Sequence, residues 1–343
     1  MVGRGVYLAL SARLLLNLES LNMAESVGNV TKHRKAPIVI EDNGSYKLVY
    51  APVVSGMSLA HHYQRLLARA ASERGLPVSR MSLEGFFMKY ADDNIIKNHY
   101  PEVRGKVSKG NSPCVNERII VESDVVADVG GFLYTDGLVK RTSRFSFSYL
   151  IPALDSISGG ASAVYPQIHV RYTPTAREGE QALIYVDTAS ALYTLSFILE
   201  ASEVSVLGTC KAMGQKPDDL GSQARRERVR SAVEALVSML GNASFGAKRS
   251  RSMPHWRIES MVVVASTGLT SFVPSPGHST SYLAETLKRL EAQKRAIRSL
   301  DASIHYYARE KLETASFKGD IKSHDTPEKA IIEAAEWVLN RLG

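Results

Sequence analysis

The chain has 343 residues, of which 44% are apolar and 22% charged, an ordinary balance for a soluble globular protein with room for about two domains. Its formal net charge of +7 favours a polyanionic partner. No segment has the length of uninterrupted apolar residues that a membrane span needs, and Arg13 splits the N-terminal apolar run. We therefore expect a cytoplasmic protein without a membrane partner or signal peptide.

The cysteines exclude the common Cys-based sites. Cys114 and Cys210 are far apart and sit in no C-x-x-C or Cys/His spacing. The sequence therefore predicts no zinc site and no disulfide framework, and the default compartment is reducing. We find no motif for a cofactor or another metal.

The first elements follow from apolar patterning. Residues 5–18 predict a strand, and a polar stretch follows it. Residues 38–40 and 47–54 predict a hairpin around Asp42-Asn43-Gly44, because Asn-Gly supplies the positive φ of a tight turn. A helix capped by Ser55 or Ser58 comes next.

The middle of the chain predicts an inserted arm followed by strands. Residues 75–116 show no sustained period, which is typical of a long functional or mobile segment. The strand-like segments that follow are 118–129, 145–151, 167–172, 182–188 and 192–199.

The last third predicts a helix, a strand and a helical tail. Residues 223–240 carry a helical apolar stripe, and residues 256–264 are β-branched and apolar. A tail helix is expected over 282–307, and a second over 327–342 with Thr326 as N-cap and Pro327 in its first position.

This order predicts an α+β fold, a modified RNA-recognition-motif (ferredoxin-like) palm with large insertions that include a thumb-like arm. We divide the chain into four parts: the first half of the palm (1–74), the inserted arm or thumb (75–117), the rest of the palm with inserted strands (118–275) and a helical C-terminal tail (276–343).

The stretch GNASFGAKRSRSMP nearly matches a phosphate-binding P-loop, G-x-x-x-x-G-K-[ST]. Ala247 separates Gly246 from Lys248, however, and the order helix, loop, strand is the reverse of what a P-loop needs. A nucleotide hydrolase is therefore disfavoured. The alternatives are a solvated basic turn and a site for the phosphates of another molecule.

Three further polar clusters can contact nucleic acid. One follows the first strand, where amide, hydroxyl and cationic side chains suit phosphate and sugar contacts. Another begins at Ser55 and Gly56, where helix amides can hold a phosphate. The third alternates Lys140, Arg141 and Arg144 with aromatic residues, a pattern that suits single strands.

Each cluster also has an ordinary structural explanation. The first can be a surface loop, and His61 or His62 can be a histidine hydrogen-bonded to the backbone. Strand alternation alone would direct the aromatic residues of the third cluster to a core and its cations to water. His169 is a contact residue or, less simply, a general base. No two-metal carboxylate pattern, histidine metal pair or G-x-S-x-G motif is present, so nothing demands an enzyme.

Five blocks taken together carry a family resemblance: NLESLNMAESVGNVTKHRKAPIV, PVVSGMSLAHHYQ, DVVADVGGFLY with VKRTSRFSFSYLIPAL, QIHVRY and FGAKRSRSMP. In this order, from about residue 8 to residue 275, they resemble the DevR-like backbone subunit of archaeal type I-A CRISPR interference complexes, of the RAMP superfamily. Residues 75–116 and the segment after about 280 do not contribute to the resemblance.

The resemblance implies a non-catalytic subunit that polymerises head to tail along a CRISPR guide RNA. The guide is held by its backbone, and its bases are presented for pairing with invading DNA. Implied partners are copies of the same chain in a helical filament, the large, small and guide-end capping subunits of the Cascade complex, and the helicase-nuclease. The thumb of one copy would displace a base of the guide bound by its neighbour.

The residues expected to contact RNA lie in the matching blocks. They are Asn22, Ser26, Asn29, His33, Arg34, Ser55, His61, Arg141, Arg144, His169, Lys248, Arg249 and Arg251.

Two alternatives stay open at this point. One is a metal-independent endoribonuclease that processes CRISPR RNA on the same kind of fold, with His33 or His169 as general base. The other is a non-specific RNA-binding protein that forms no filament.

Overall fold

A long alternating strand near the N-terminus forms the middle of the fold. In the computed structural model, which describes residues 4–42, 44–171 and 182–342, the strands are β1 (Gly5–Glu19), β2 (Met23–Val27), β3 (Val30–His33), β4 (Lys35–Asp42), β5 (Ser45–Pro52), β6 (Phe132–Tyr134), β7 (Val139–Arg141), β8 (Phe145–Phe147), β9 (Ile151–Pro152), β10 (Ser162–Arg171), β11 (Ala182–Leu199), β12 (His255–Gly268), β13 (Asp301–Ala308) and β14 (Asp320–Ser323). The helices are α1 (Gly56–Glu73), α2 (Arg80–Glu84), α3 (Asp93–His99), α4 (Pro113–Ser123), α5 (Val125–Gly130), α6 (Leu154–Ser158), α7 (Gly208–Ala212), α8 (Ser222–Gly241), α9 (Tyr282–Ala296) and α10 (Pro327–Leu339).

The main sheet is built outward from β1. β1 pairs antiparallel with β11 on one side and with β12 on the other. The strand order is β14-β13-β12-β1-β11-β3-β2, and β8, β9 and β10 pair with further parts of β11. The β4-β5 and β6-β7 hairpins form separate two-stranded sheets. The fold is therefore α+β, as the sequence predicts.

Helices cover both faces of this sheet. Because side chains alternate along a strand, Leu8, Leu10 and Leu14 of β1 face one layer, which contains α1, α8 and α10. Val262 and Val264 of β12 face the other layer, which contains α9. α1 packs directly against α8, so the start of α1 and the loop after α8 come to lie at one surface.

Most expected elements are confirmed, and their local causes are visible. Ser55 is the N-cap of α1, since its Oγ accepts a hydrogen bond from the Ser58 amide at 3.3 Å. Thr326 caps α10 in the same way, with Pro327 in the first turn. The predicted strands 182–188 and 192–199 form one continuous strand, β11. Asn43 of the predicted hairpin turn and residue 172 of the predicted strand 167–172 lie outside the described residues.

The strand expected over 118–129 is wrong, because this segment forms α4 and α5. Ser112 and Asp124 cap the two helices, accepting hydrogen bonds from the Val115 and Val126 amides. Burial of Ile120 and Val121 on one side of α4 outweighs the β-propensity of these branched residues.

Two further expectations need correction. The helix predicted over 282–307 ends at Ala296, and residues 301–308 form β13, whose alternating Ala302 and Ile304 face the α9 layer. The segment 75–116 also has more regular structure than its composition indicates, since it contains α2, α3 and the start of α4. We call residues 80–130, which include α2 to α5, the helical insertion.

The helical insertion is fastened to the rest of the molecule covalently and by buried charges. Cys114 in α4 and Cys210 in α7 form a disulfide across a sequence separation of 96 residues, which contradicts the expectation of no disulfide framework. Sequence spacing could not indicate this pairing, because it depends on α7 folding back onto α4. Asp128 of α5 is fully buried and forms ion pairs with Arg141 and Arg228.

Within the described parts of the chain, no helix is both long enough and apolar enough to cross a lipid bilayer.

Candidate nucleic-acid interface

The basic loop, residues 246–251, is held against the end of β1. Its Ala247 amide donates to the Leu21 carbonyl at 2.7 Å. Gly246 has a φ of +82°, and a Cβ there would lie 2.6 Å from Leu21 Cβ, so only glycine fits this approach. The Gly246 amide also lies 3.4 Å from His62 Nδ1 of α1. The loop is thus fixed at the junction of the sheet and α1.

One side of the basic loop forms a cavity of about 500 Å³ with the β10-β11 hairpin. We call it the loop cavity. His169 of β10 lines this cavity together with Lys248 and Arg251, and all three side chains are exposed. The remaining lining residues are Val170, Ile184, Val186 and Ser252, so no described lining residue is acidic. A cavity of this kind attracts an anion with an apolar part.

The other side of the loop forms a second cavity, of about 170 Å³, with α1. We call it the helix cavity. Arg249 faces Arg65 and Arg69 there, and His62, Leu66 and Ser244 complete the described lining. Sequence reasoning missed Arg65 and Arg69. Their spacing of four residues places them on one face of a helix and was the available signal.

Burial and neighbouring positive charges lower the pKa of both histidines of α1. The pKa of His62 is lowered by burial and by the charges of Arg65 and Arg249. The pKa of exposed His61 is also lowered, by burial and by His62 and Arg65. Both rings are therefore mostly neutral at pH 7, and the arginines supply the positive charge.

His33 and Arg141 are not placed to contact RNA. The side chain of His33 is fully buried, with Nε2 2.7 Å from Glu19 Oε1 and Nδ1 2.8 Å from the Arg34 carbonyl. Arg141 is also buried, between Asp128 and Glu117. We correct both expectations, because a side chain whose polar atoms are already paired in the core cannot reach a phosphate.

The remaining expected residues divide between scaffold and surface. Asn22 Oδ1 accepts from the amide of buried Ser55 at 2.9 Å, which fixes the start of α1. Asn29 is exposed but donates to the Leu183 carbonyl, which fastens the β2-β3 hairpin to β11. Ser26 is exposed on that hairpin. Arg34 and Arg144 are half-buried, and Arg144 lies 4.0 Å from Glu203, away from both cavities.

The site therefore consists of the basic loop, the face of α1 that carries His62, Arg65 and Arg69, and His169, at one surface of an α+β sheet. In the described ranges, no group of three or more His, Cys, Asp or Glu side chains is placed to hold a metal ion. Cations around carboxylate-free cavities are typical of proteins that bind a phosphate-bearing chain.

Comparison with known sequences identifies the family. The sequence profile described as "CRISPR-associated negative auto-regulator DevR/Csa2" matches residues 10–287, and the chain belongs to this family. The resemblance found from the sequence blocks is thereby confirmed.

Two relatives from Saccharolobus solfataricus cover most of the chain. The "CRISPR-associated aCascade subunit Cas7/Csa2 2" is 40% identical over 289 residues, 83% of this chain and 86% of the relative. The "CRISPR-associated protein Cas7/Csa2 1" is 32% identical over 317 residues, 89% of this chain and 93% of the relative.

A solved structure shares the fold at low sequence identity. A chain of a "CRISPR RNA-guided surveillance complex, pre-nicking" superposes with a TM-score of 0.51 at 10% identity, covering 97% of this chain and all of that one. This similarity concerns the fold.

Proposed function

We propose that the chain is a non-catalytic backbone subunit that binds a single-stranded CRISPR guide RNA through its phosphates. The observation that carries the proposal is the pair of cavities on the two sides of the basic loop, whose described lining residues include cations and no carboxylate. Backbone binding needs cations and amides without base-specific geometry, and the family membership makes the guide RNA the natural strand.

Within this proposal the cations of the basic loop divide between the two cavities. Lys248 and Arg251 each contact a phosphate at the loop cavity, and His169 contacts a nucleotide there. Arg249, Arg65 and Arg69 each contact a phosphate of the adjacent stretch of strand at the helix cavity. Gly246 allows the backbone of the loop to approach the strand closely.

The same proposal includes the assembly. Copies of the chain form a helical filament on the guide and present its bases to target DNA, beside the large, small and capping subunits of Cascade and its helicase-nuclease. The name of the solfataricus relative, an aCascade subunit, supports this. We also propose an RNA-recognition-motif palm, because the order β1, α1, β11, α8, β12 gives a sheet with β1 between two antiparallel neighbours and both helices on one face.

Contacts between copies need exposed surface that projects from the palm. Residues 75–117, the proposed arm, expose Leu83 and Phe86. The β10-β11 hairpin offers a second such surface, where Tyr165 and Ile168 are exposed. Heterologous contacts of this kind generate filaments when they do not close into a ring.

The alternative is a metal-independent endoribonuclease that processes CRISPR RNA. The endoribonuclease alternative had two candidate general bases, His33 and His169, and burial of His33 against Glu19 excludes the first. His169 is accessible and lies near Lys248, so it is the residue through which cleavage would have to occur. Apart from Lys248, no described residue lining the loop cavity could serve as a second general acid or base, so cleavage there would depend on His169 and Lys248 alone.

Binding of labelled CRISPR RNA across a salt series tests the proposal. We compare the wild type with a Lys248→Ala/Arg249→Ala/Arg251→Ala variant and examine the RNA for cleavage. For single strands, log affinity falls by about 0.7 per phosphate contact for each unit of log salt, so loss of three contacts should flatten the slope by about 2.

The outcomes separate the alternatives. Intact RNA, a flatter slope for the variant and large assemblies on long guides support the backbone subunit. Cleavage that His169→Ala abolishes while binding persists would establish the endoribonuclease. An unchanged slope would show that the basic loop is an ordinary solvated turn that contacts no phosphate.

A further inference from the structure

A third cavity lies beside the interface, between the helical insertion and the β6-β7 hairpin. Its volume is about 510 Å³, and its described lining is mainly apolar. We call it the glycine cavity because Gly130 and Gly131 lie in its wall. The other lining residues are Phe87, Met88, Lys89, Ala91, Phe132, Leu133, Thr135, Lys140 and Arg141.

The glycines keep this wall thin and rigid. A Cβ on Gly130 would lie 2.3 Å from Gln64 Oε1 of α1, and one on Gly131 would lie 2.5 Å from the Arg141 carbonyl oxygen. Gly131 also has a φ of +70°, which side chains rarely tolerate. Close packing behind both glycines fixes the position of Phe132 and Leu133 relative to α1.

Lys89 brings a hydrogen-bond donor into this apolar cavity. Its Nζ donates to the Gly130 carbonyl at 2.9 Å, and its backbone has a φ of +53°. The side chain is half-buried, and it has no acidic neighbour among the described residues. An ammonium has three donors, so after the bond to Gly130 two remain for an acceptor in the cavity.

The surroundings of Lys89 also make its charge costly. Burial lowers the pKa of its ammonium, and no acidic neighbour offsets this cost. A ligand with oxygen or nitrogen acceptors would recover the lost hydration of the ammonium.

A row of rings connects the glycine cavity to the phosphate-binding surface. The Phe87 ring lies edge-on to the His61 ring, with centroids 5.2 Å apart, and His61 lies 5.4 Å from His62. His62 in turn lines the helix cavity with Arg65 and Arg249. An apolar cavity with a donor is therefore next to a cationic one, as a base is next to its phosphate in a nucleotide.

We propose that the glycine cavity holds one unstacked nucleobase of the RNA strand whose phosphates occupy the neighbouring cationic cavities. A nucleobase combines a flat ring with acceptor atoms at its edge. The ring contacts Phe87 and Leu133, and the edge accepts hydrogen bonds from Lys89. This assignment rests on the proposed function, since it needs a bound strand.

The experiment measures RNA binding across a salt series for Phe87→Leu and Lys89→Met, each retaining apolar volume. Phe87→Leu should bind about tenfold more weakly, the size expected when a base loses its stacking partner. Lys89→Met should also bind about tenfold more weakly, because the base loses a hydrogen bond from a charged donor. The slope of log affinity against log salt should stay that of the wild type, because no phosphate contact is lost. Leu269→Ala, at a side chain 77% exposed and outside the cavity, is the control and should bind as the wild type does.

An abasic strand gives the decisive comparison. On a ribose-phosphate chain without bases, the wild type and Phe87→Leu should bind equally. Thermal unfolding checks that each variant is folded, and Leu133→Ala, at a side chain 53% exposed, replaces Phe87→Leu if that variant does not fold.

Three results would overturn the assignment and leave the proposed function standing. The first is unchanged affinity in the cavity variants, and the second is a loss of affinity on the abasic strand equal to that on normal RNA. The third is a slope flattened by about 0.7 in Lys89→Met, which would make Lys89 a phosphate contact. Failure of the wild type to bind RNA at all would instead remove the proposed function.

Discussion

The cations that pair with Asp128 of the helical insertion and those around the basic loop are the same residue types in opposite surroundings. Arg141 and Arg228 are buried and share the carboxylate of Asp128. Arg65 and Arg249 line a cavity without any carboxylate among its described residues. A buried cation with an acidic partner holds elements together, whereas a group of cations without one is available to an external anion.

The largest effect is expected from breaking the buried pairs. Asp128→Ala should lower the free energy of unfolding by about 3–5 kcal/mol, because it leaves the buried guanidinium of Arg228 without a carboxylate and that of Arg141 with Glu117 alone. The Ser205 amide would also lose its acceptor. Denaturant unfolding measures the change, with Glu203→Gln, which alters a half-exposed carboxylate, as the control. A loss below about 1 kcal/mol would show that the buried ion pairs do not hold the insertion.

The disulfide should give the next largest effect. Cys114→Ser/Cys210→Ser is expected to lower the free energy of unfolding by about 2–4 kcal/mol, because the bond closes a loop between residues separated by 96 positions in the unfolded chain. A reductant should lower the stability of the wild type by a similar amount and leave the double variant unchanged. Equal sensitivity of both proteins to the reductant would contradict a stabilising bond. RNA affinity of the folded double variant should not change.

The same contrast explains what could be predicted from sequence. The positions of β1, α1, α8 and β12 follow from apolar period and capping residues, which act over a few neighbours. The basic loop was recognisable because its glycines and cations are contiguous. Whether an arginine is paired depends on residues far away in sequence, as with Arg141 and Arg228. The roles of Arg141 and His33 were therefore predicted wrongly.

Secondary structure failed where tertiary packing decided it. In α4 and α5 the branched residues predict a strand, yet the caps Ser112 and Asp124 and a shared buried side favour helix. Between α9 and residues 301–308 the sequence has no glycine or proline, so no local signal marks the change from helix to strand. Residues 301–308 form a strand because they pair with β12.

Removing cations that have no carboxylate beside them among the described residues should affect binding and leave stability nearly unchanged. Arg65→Ala/Arg69→Ala is expected to flatten the salt slope by about 1.4, and hence to weaken binding at 0.1 M salt by about 25-fold. The free energy of unfolding should change by no more than about 0.5 kcal/mol, since both side chains are exposed. Lys288→Ala/Arg295→Ala, two exposed cations of α9 on the opposite layer, is the matched control. An equal loss in both variants would mean that only net charge matters.

The smallest expected effects come from two buried histidines, because the neighbouring group decides whether the pKa of each is raised or lowered. Burial lowers the pKa of His33, but the hydrogen bond and charge of Glu19 outweigh it and raise the pKa overall. The pKa of His305 is lowered to about 4, by burial and then by His324, whose Nε2 lies 3.0 Å from His305 Nδ1. The two residues should therefore respond to pH in opposite senses.

For His305 the unfolded chain binds the proton more tightly than the folded one, because its pKa is near 6.5 when unfolded. Its contribution to stability is present above pH 6.5 and is lost as the pH falls toward about 4. We expect the wild type to lose about 1 kcal/mol relative to His305→Gln between pH 7 and pH 4, allowing for screening at partly exposed His324. For His33→Gln the wild type should instead lose its advantage as the pH rises through the raised pKa. Denaturant unfolding from pH 4 to alkaline pH measures both, because the raised pKa of His33 places its transition above that of His305. Parallel profiles would show that neither partner controls its histidine.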